Sequence, residues 1–365
     1  MASLSIAIVG LPNVGKSTLF NALTDSNILA ANYPFATIEP NTGIVPVPDE
    51  RLSKLSELYG NAPVKPATVT FVDVAGLVKG ASEGEGLGNQ FLSHIRATNA
   101  IVQVVRAFDD PNVVTDEATG KHDPATDIEI INTELVLADL QTVSKRLPRL
   151  DKEARANPKL QPQVALLQKM QATLDAGKPI FSDAELLEQS REFSDLFLLT
   201  AKPVIYVFNV DENGIGDEAL HKKLSDLVAP SQAIFICAKL EDELRSLDGA
   251  DRMELLESYG QTEPGLNQLI RAAYDTLGLQ SYLTAGEKEV RAWTIPRGAT
   301  APQAAGVIHG DFERGFIAAD VVSYDDLLVA GSLHAARAAG KVRTEGKTYV
   351  MAPDDVVEFK FNVSK

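Results

Sequence analysis

The sequence contains a single cysteine, Cys237, in 365 residues. One thiol excludes an intramolecular disulfide framework and any multi-cysteine zinc site. Positive charge is scarce: 34 Lys and Arg stand against 50 Asp and Glu, a formal net charge of −16. A uniformly basic nucleic-acid surface is therefore excluded, and any RNA contact must use a local patch. No DNA partner is expected. No uninterrupted apolar run approaches the roughly 18 residues of a membrane span, so no membrane association is expected either. Low-complexity tracts and solenoid repeats are missing. The first eight residues carry no basic stretch ahead of their apolar ones, so they read as a β-strand rather than a signal peptide, and the expectation is a cytoplasmic protein.

What remains is ordinary globular material, 45% apolar and 23% charged, long enough for two or three domains. Short apolar runs at 4–9, 67–72, 100–105, 203–208 and 233–237 alternate with helical patterns such as 18–24. That alternation predicts an α/β fold with a mostly parallel sheet and helices on both faces. The series breaks between 127 and 200. There Ile128, Ile131, Leu135, Val143 and Leu147, and then Val164, Leu167, Met170 and Leu174, recur at helical intervals. Pro148, Pro158 and Pro162 punctuate the stretch. The reading is an inserted antiparallel helical hairpin that turns near Asn157-Pro158. After about Ser281 short strands are expected at 290–295, 305–308, 316–322, 341–344, 347–351 and 356–363, with one helix over 325–339. This gives a division into a nucleotide domain (1–126 and 201–280), a helical insert (127–200) and a small α+β module (281–365).

Gly10-Leu-Pro-Asn13-Val14-Gly15-Lys16-Ser17-Thr18 fits the phosphate-loop pattern G-x-x-x-x-G-K-[ST] and lies between a strand and a helix, as that motif requires. Its glycines allow a tight turn whose N–H groups converge on phosphate oxygens. The helix N-terminus adds partial positive charge. Lys16 supplies a point charge to the β- and γ-phosphates of ATP, and the Ser17 hydroxyl can ligate Mg²⁺. Asp73-Val-Ala-Gly76 ends a later strand. An Asp there faces Mg²⁺, and the Gly76 N–H senses the γ-phosphate. Gly80, Gly84, Gly86 and Gly88 follow, a composition suited to a segment that rearranges. Thr37, between these motifs, stands where a second Mg²⁺ hydroxyl is expected.

Asn209-Val210-Asp211-Glu212 follows the strand 203–208, where GTPases carry N-K-x-D. The Asp of that motif accepts from guanine N1–H and the 2-amino group, donors that adenine lacks. Here Glu212 is one methylene longer, and Val210 cannot cover the base as a Lys stem does. The expected consequence is weakened guanine preference and ATP as substrate. Asn209 and the Val210 backbone are the expected base neighbours. Cys237-Ala238-Lys239 resembles the S-A-K loop that flanks the base, and a small core role for Cys237 is an equal alternative.

These segments resemble the YchF subfamily of Obg-related P-loop NTPases, the Obg-like ATPases. The likeness also runs through Asn32-Tyr-Pro-Phe-Ala-Thr-Ile-Glu-Pro-Asn, through the glycine-rich stretch after Asp73, and over almost the whole chain. Ala292-Trp-Thr-Ile-Pro-Arg-Gly, Gly306-Val-Ile-His and Asp311-Phe-Glu-Arg-Gly-Phe-Ile resemble a TGS domain, which implies a ubiquitin-like β-grasp module. The resemblance implies a ribosome-associated ATPase that prefers ATP to GTP. Asp211 departs from the Asn or Ser common in relatives.

Leu77 occupies the position where Ras-type enzymes orient water with Gln. An apolar side chain cannot do so, and His94, just beyond the glycine stretch, is the candidate water-orienting group or general base. Asn13 is a candidate neighbour for a stabilising K⁺ ion. From Asp139 to Lys178 eight basic residues face four acidic ones, whereas the last module has ten and eleven. An rRNA or tRNA contact is therefore placed on the insert and the groove between domains. Two other functions fit the same motifs: a GTP-dependent assembly factor of the large ribosomal subunit, and an adaptor in which nucleotide binding is structural.

Overall fold

The computed structural model describes residues 4–25, 42–74, 87–108 and 123–362. Contact clustering divides the chain into two compact units, 1–44 with 70–269 and 45–69 with 270–365. In chain order the strands begin with β1 (Ser5–Val9), β2 (Thr42–Pro46), β3 (Val64–Lys65), β4 (Thr68–Asp73), β5 (Ala100–Arg106), β6 (Val204–Asn209) and β7 (Gln232–Ile236). The helices among and after them are α1 (Lys16–Asp25), α2 (Glu50–Leu58), α3 (Leu87–Arg96), α4 (Pro124–Ala156), α5 (Gln161–Asp175), α6 (Ala184–Gln189), α7 (Glu218–Val228), α8 (Ala238–Arg245), α9 (Gly249–Ser258) and α10 (Gly265–Thr276).

The nucleotide-binding sheet has the order β2-β4-β1-β5-β6-β7. The pairs β4–β1, β1–β5, β5–β6 and β6–β7 are all parallel. Every residue of β5 and β6 is buried. A strand covered on both faces needs a continuous apolar run, and Ala-Ile-Val-Gln-Val-Val and Val-Ile-Tyr-Val-Phe supply one. Register sets the site: Asp73 at the end of β4 lies opposite Ile8, two residues before the phosphate loop.

The insert is helical, as expected. Asp123 caps α4 by accepting from Ala125 N–H. The helix runs through Pro148 and stops at Asn157, where Pro158 opens a short 3₁₀ turn that leads into α5. Pro148 thus does not break the helix, whereas Pro158 does, because the residue before a proline is driven out of the helical region. Val136, Val143, Leu150, Ala154, Val164, Leu167, Met170 and Leu174 form a core cluster with Ile180, Leu186 and Phe193. The hairpin is therefore closed by side chains beyond α5.

The second unit contains β3 and α2 together with β8 (Leu279–Ala285), β9 (Val290–Pro296), β10 (Phe316–Ser323), β11 (Arg343–Glu345) and β12 (Asp355–Phe361), and helices α11 (Ala301–Ile308), α12 (Gly310–Arg314), α13 (Tyr324–Ala330) and α14 (Leu333–Ala338). Its sheet has the order β11-β10-β12-β8-β9-β3. Three sequence expectations need correction. Residues 305–308 belong to α11, which Thr300 and Gln303 start with a capping box. The expected strand at 347–351 is reduced to an isolated bridge between Thr300 and Val350. The single helix expected over 325–339 is two, divided where Gly331 takes a left-handed φ of 76°. The strand β8 and the inclusion of 45–69 in this unit were not expected.

Candidate functional site

The phosphate loop joins β1 to α1. Two of its backbone positions require their residues. Asn13 has φ 63° and Gly15 φ 92°. A Cβ on Gly15 would lie 2.3 Å from Asn209 Nδ2, so the site excludes a side chain there on two counts. Val14 is buried, and Ser17 and Thr18 are exposed at the start of α1. Gly15 C=O accepts from Leu19 N–H at 3.0 Å, which continues the turn into the helix.

Lys16 Nζ forms an ion pair with Asp73 Oδ1. Their side chains are 10% and 19% exposed, so the ammonium and the carboxylate share a sheltered spot that water still reaches. Ser17 and Asp73 offer hard oxygen donors. A divalent ion that keeps several waters and leans on substrate phosphates needs only one or two such groups, which fits Mg²⁺. Among the described residues no cluster of three or more His, Cys, Asp or Glu side chains could hold a metal.

Asn209, at the end of β6, is 7% exposed. Its Nδ2 donates to Val14 C=O at 2.9 Å and its Oδ1 accepts from Ala238 N–H at 3.0 Å. The sequence reading treated Asn209 as a base neighbour. Its amide ties the phosphate loop to the loop before α8. The Val210 N–H likewise donates to Ile236 C=O at 2.9 Å, and the Val210 side chain is buried in the sheet's core. Asp211 closes a turn by accepting from Gly214 N–H at 2.8 Å.

Glu212 is the free-standing acid of this motif, and Lys239 Nζ donates to its Oε1 at 2.7 Å. That hydrogen bond holds the Glu212 carboxyl below its ordinary range and raises the Lys239 ammonium. Tyr259 also hydrogen-bonds to Glu212. Cys237 is 3% exposed and packs in the core, and burial pushes its thiol up. It is the core cysteine of the two alternatives. His94 is exposed in the last turn of α3 and makes no hydrogen bond or ion pair among the described residues. Thr37, Gly76, Leu77, Gly80, Gly84 and Gly86 lie outside the described residues.

Two buried carboxylates escaped sequence reading. Asp139 on α4 is fully buried and accepts from Leu199 N–H, Thr200 N–H and Thr200 Oγ1 at 2.9, 2.7 and 2.8 Å. Burial pushes its carboxyl up, while those donors and Arg96, 3.9 Å away, oppose the rise. Glu241 on α8 accepts from Gly265 N–H at 2.6 Å and so holds the N-terminus of α10. Burial pushes Glu241 up to about 7. Both were visible as acids in apolar phase, since Asp139 stands four residues after Leu135 and Glu241 three before Leu244.

Two family models match the chain: a 50S ribosome-binding GTPase over residues 5–146, and a YchF-type GTPase C-terminal domain, described as a protein of unknown function, over 279–362. The ribosome-binding ATPase YchF of Bacillus subtilis (strain 168) is 50% identical over 99% of this chain and 100% of its own length. That of Escherichia coli O157:H7 is 49% identical over 98% of each. The structure of the Schizosaccharomyces pombe YchF GTPase superposes with a TM-score of 0.87 at 41% identity, covering 98% of both chains. Likeness of this depth, end to end, is not shared fold alone: the chain belongs to the YchF family of P-loop nucleotide-binding proteins.

Proposed function

We propose that the protein is a cytoplasmic, ribosome-associated ATPase that binds Mg²⁺-ATP in preference to Mg²⁺-GTP and uses its nucleotide state to govern ribosome binding. The observation that carries the base preference is the Lys239–Glu212 ion pair. A carboxylate already engaged by an ammonium is a poor acceptor for guanine N1–H and the 2-amino group, and adenine makes no such demand. Lys16 would meet the β- and γ-phosphates, and a bound Mg²⁺ would supply charge neutralisation there. Ser17, Thr37 and Asp73 would hold that ion, and Gly76 would sense the γ-phosphate. His94 is assigned to orienting the attacking water, and Asn13 to the neighbourhood of a K⁺ ion.

The ribosome enters through the relatives, whose names state it. Among the described residues no helix is long and apolar enough to cross a membrane. The RNA contact is assigned to the helical insert, and the C-terminal module is assigned to the TGS class. Titration calorimetry with non-hydrolysable ATP and GTP analogues, in Mg²⁺ with either K⁺ or Na⁺, tests the reading. Tenfold tighter ATP binding, about 1.4 kcal/mol, is the expected result. Equal or tighter GTP binding would favour a GTP-dependent assembly factor of the large subunit.

A further inference from the structure

We propose that the pocket between α3 and α4 is a phosphate-binding site whose ligand is a backbone phosphate of RNA running along α4. This rests on the ribosome-associated reading above and adds a defined anion site to it. The cavity has a volume of about 350 Å³. Its polar lining is Ser93 and Arg96 from α3 and Gln141, Thr142 and Lys145 from α4, with no acidic side chain among the residues that line it.

Arg96 is held rather than free. One terminal nitrogen donates to the Phe197 and Leu196 carbonyls at 3.2 and 3.5 Å, and the other to Thr142 Oγ1 and the Ala138 carbonyl at 3.1 and 3.5 Å. The guanidinium is thus ordered in advance at the pocket wall, so an arriving anion need not immobilise it. The local charge is positive. Asp139 lies behind Arg96, 3.9 Å from it, and its oxygens already accept from Leu199 and Thr200. Lys202 also approaches, donating to the Arg96 carbonyl at 3.2 Å. Two cations therefore attend one carboxylate. Lys145 adds a third charge with no carboxylate partner among the described residues. An anion in the cavity would neutralise that excess through charge-assisted hydrogen bonds, with the Ser93 hydroxyl at hand, whereas the Thr142 hydroxyl already donates to the Ala138 carbonyl at 3.0 Å.

The direction of the ligand comes from α4. Arg146 and Arg155 are ion-paired within the helix, to Glu153 and Asp151. Lys145, Arg149 and Lys152 are exposed and have no such partners among the described residues. Spaced i, i+4 and i+7, they share one face and extend about 10 Å from the pocket at 1.5 Å per residue. A row of separate cations tracks a chain of phosphates, whereas one small anion would need only the pocket.

The test uses the full-length protein and a fluorescent twelve-nucleotide single-stranded RNA, titrated at several salt concentrations, alongside ribosome co-sedimentation. Lys145→Glu and Arg149→Glu are each expected to weaken RNA binding about tenfold, and to lower the slope of log affinity against log salt by about one. Arg155→Gln, which removes an already paired cation, is expected to leave both unchanged. Inorganic phosphate is expected to displace RNA from the wild type at lower concentration than matched chloride, and to lose that advantage in Lys145→Glu. If Arg149→Glu weakens binding and Lys145→Glu does not, the pocket is not a phosphate site although the insert still carries RNA. If neither variant alters RNA binding or co-sedimentation, the pocket and the insert assignment fall together.

Discussion

Lys239 Nζ lies 2.7 Å from Glu212 Oε1, a pair formed across 27 residues of sequence. The two side chains are 71% and 39% exposed, so the pair is a positioning device and adds little stability. Removing the ammonium leaves the carboxylate with Tyr259 as its hydrogen-bond partner. Lys239→Ala is therefore expected to improve GTP binding relative to ATP by about tenfold, roughly 1.4 kcal/mol. Calorimetry with both analogues measures it. An unchanged ratio would show that Lys239 does not set base choice.

His94 is solvent-exposed and has no hydrogen-bond or ion-pair partner among the described residues, which leaves its ring available to a water molecule. His94→Ala is expected to lower kcat for ATP by roughly 10²-fold, within the range for a lost acid–base group, and to leave nucleotide affinity unchanged. Steady-state hydrolysis beside analogue binding separates these. An undiminished kcat would remove His94 from the mechanism and leave hydrolysis to Mg²⁺ and positioning.

Asp139 closes the junction of α4 with residues 199–200 through three hydrogen bonds. Asp139→Ala leaves those donors unpaired, and leaves Arg96 and Lys202 without their counter-ion. The expected loss is about 3 kcal/mol, which thermal unfolding would register as a fall of roughly 6–12 °C in Tm. A Tm within a degree or two of wild type would mean that the junction repacks around water.

Glu241 supplies a pH signature. Its folded-state value of about 7 lies above the ordinary 4.5. Between those values the folded protein binds more protons than the unfolded chain, so this residue's contribution to stability declines as pH rises through that window. Glu241→Gln cannot titrate. The Tm advantage of wild type over Glu241→Gln is expected to shrink steadily from pH 5 to pH 8, followed by calorimetry. A difference independent of pH would show that Glu241 keeps an ordinary carboxyl.

The phosphate loop and the parallel sheet were legible because each is written in consecutive residues. Gly10 to Thr18 is one local pattern, and β5 and β6 are continuous apolar runs. The hairpin was equally readable from its helical periodicity. What escaped depends on distant partners. Nothing near Asn209 reveals that its amide will bond Val14 and Ala238. Nothing near Glu212 announces Lys239. Gly306-Val-Ile looks like the start of a strand until the Thr300–Gln303 box is counted, and local capping then overrides the β-branched pair. Asp139 and Glu241 broke the apolar pattern of their helices, and that break was the readable sign of a buried role.

Residues 45–69 belong with the unit completed by 270–365. Within it Val64 pairs with Val290, Arg51 donates to the Pro353 carbonyl at 2.6 Å, and Leu52 and Leu55 are buried. During synthesis this early segment emerges long before residues 270–362, so α2 waits with its leucines uncovered until they are made. A fragment beginning at residue 270 would lack an edge strand and part of its interior. This unit is therefore built from two stretches of chain and cannot be excised by a single cut.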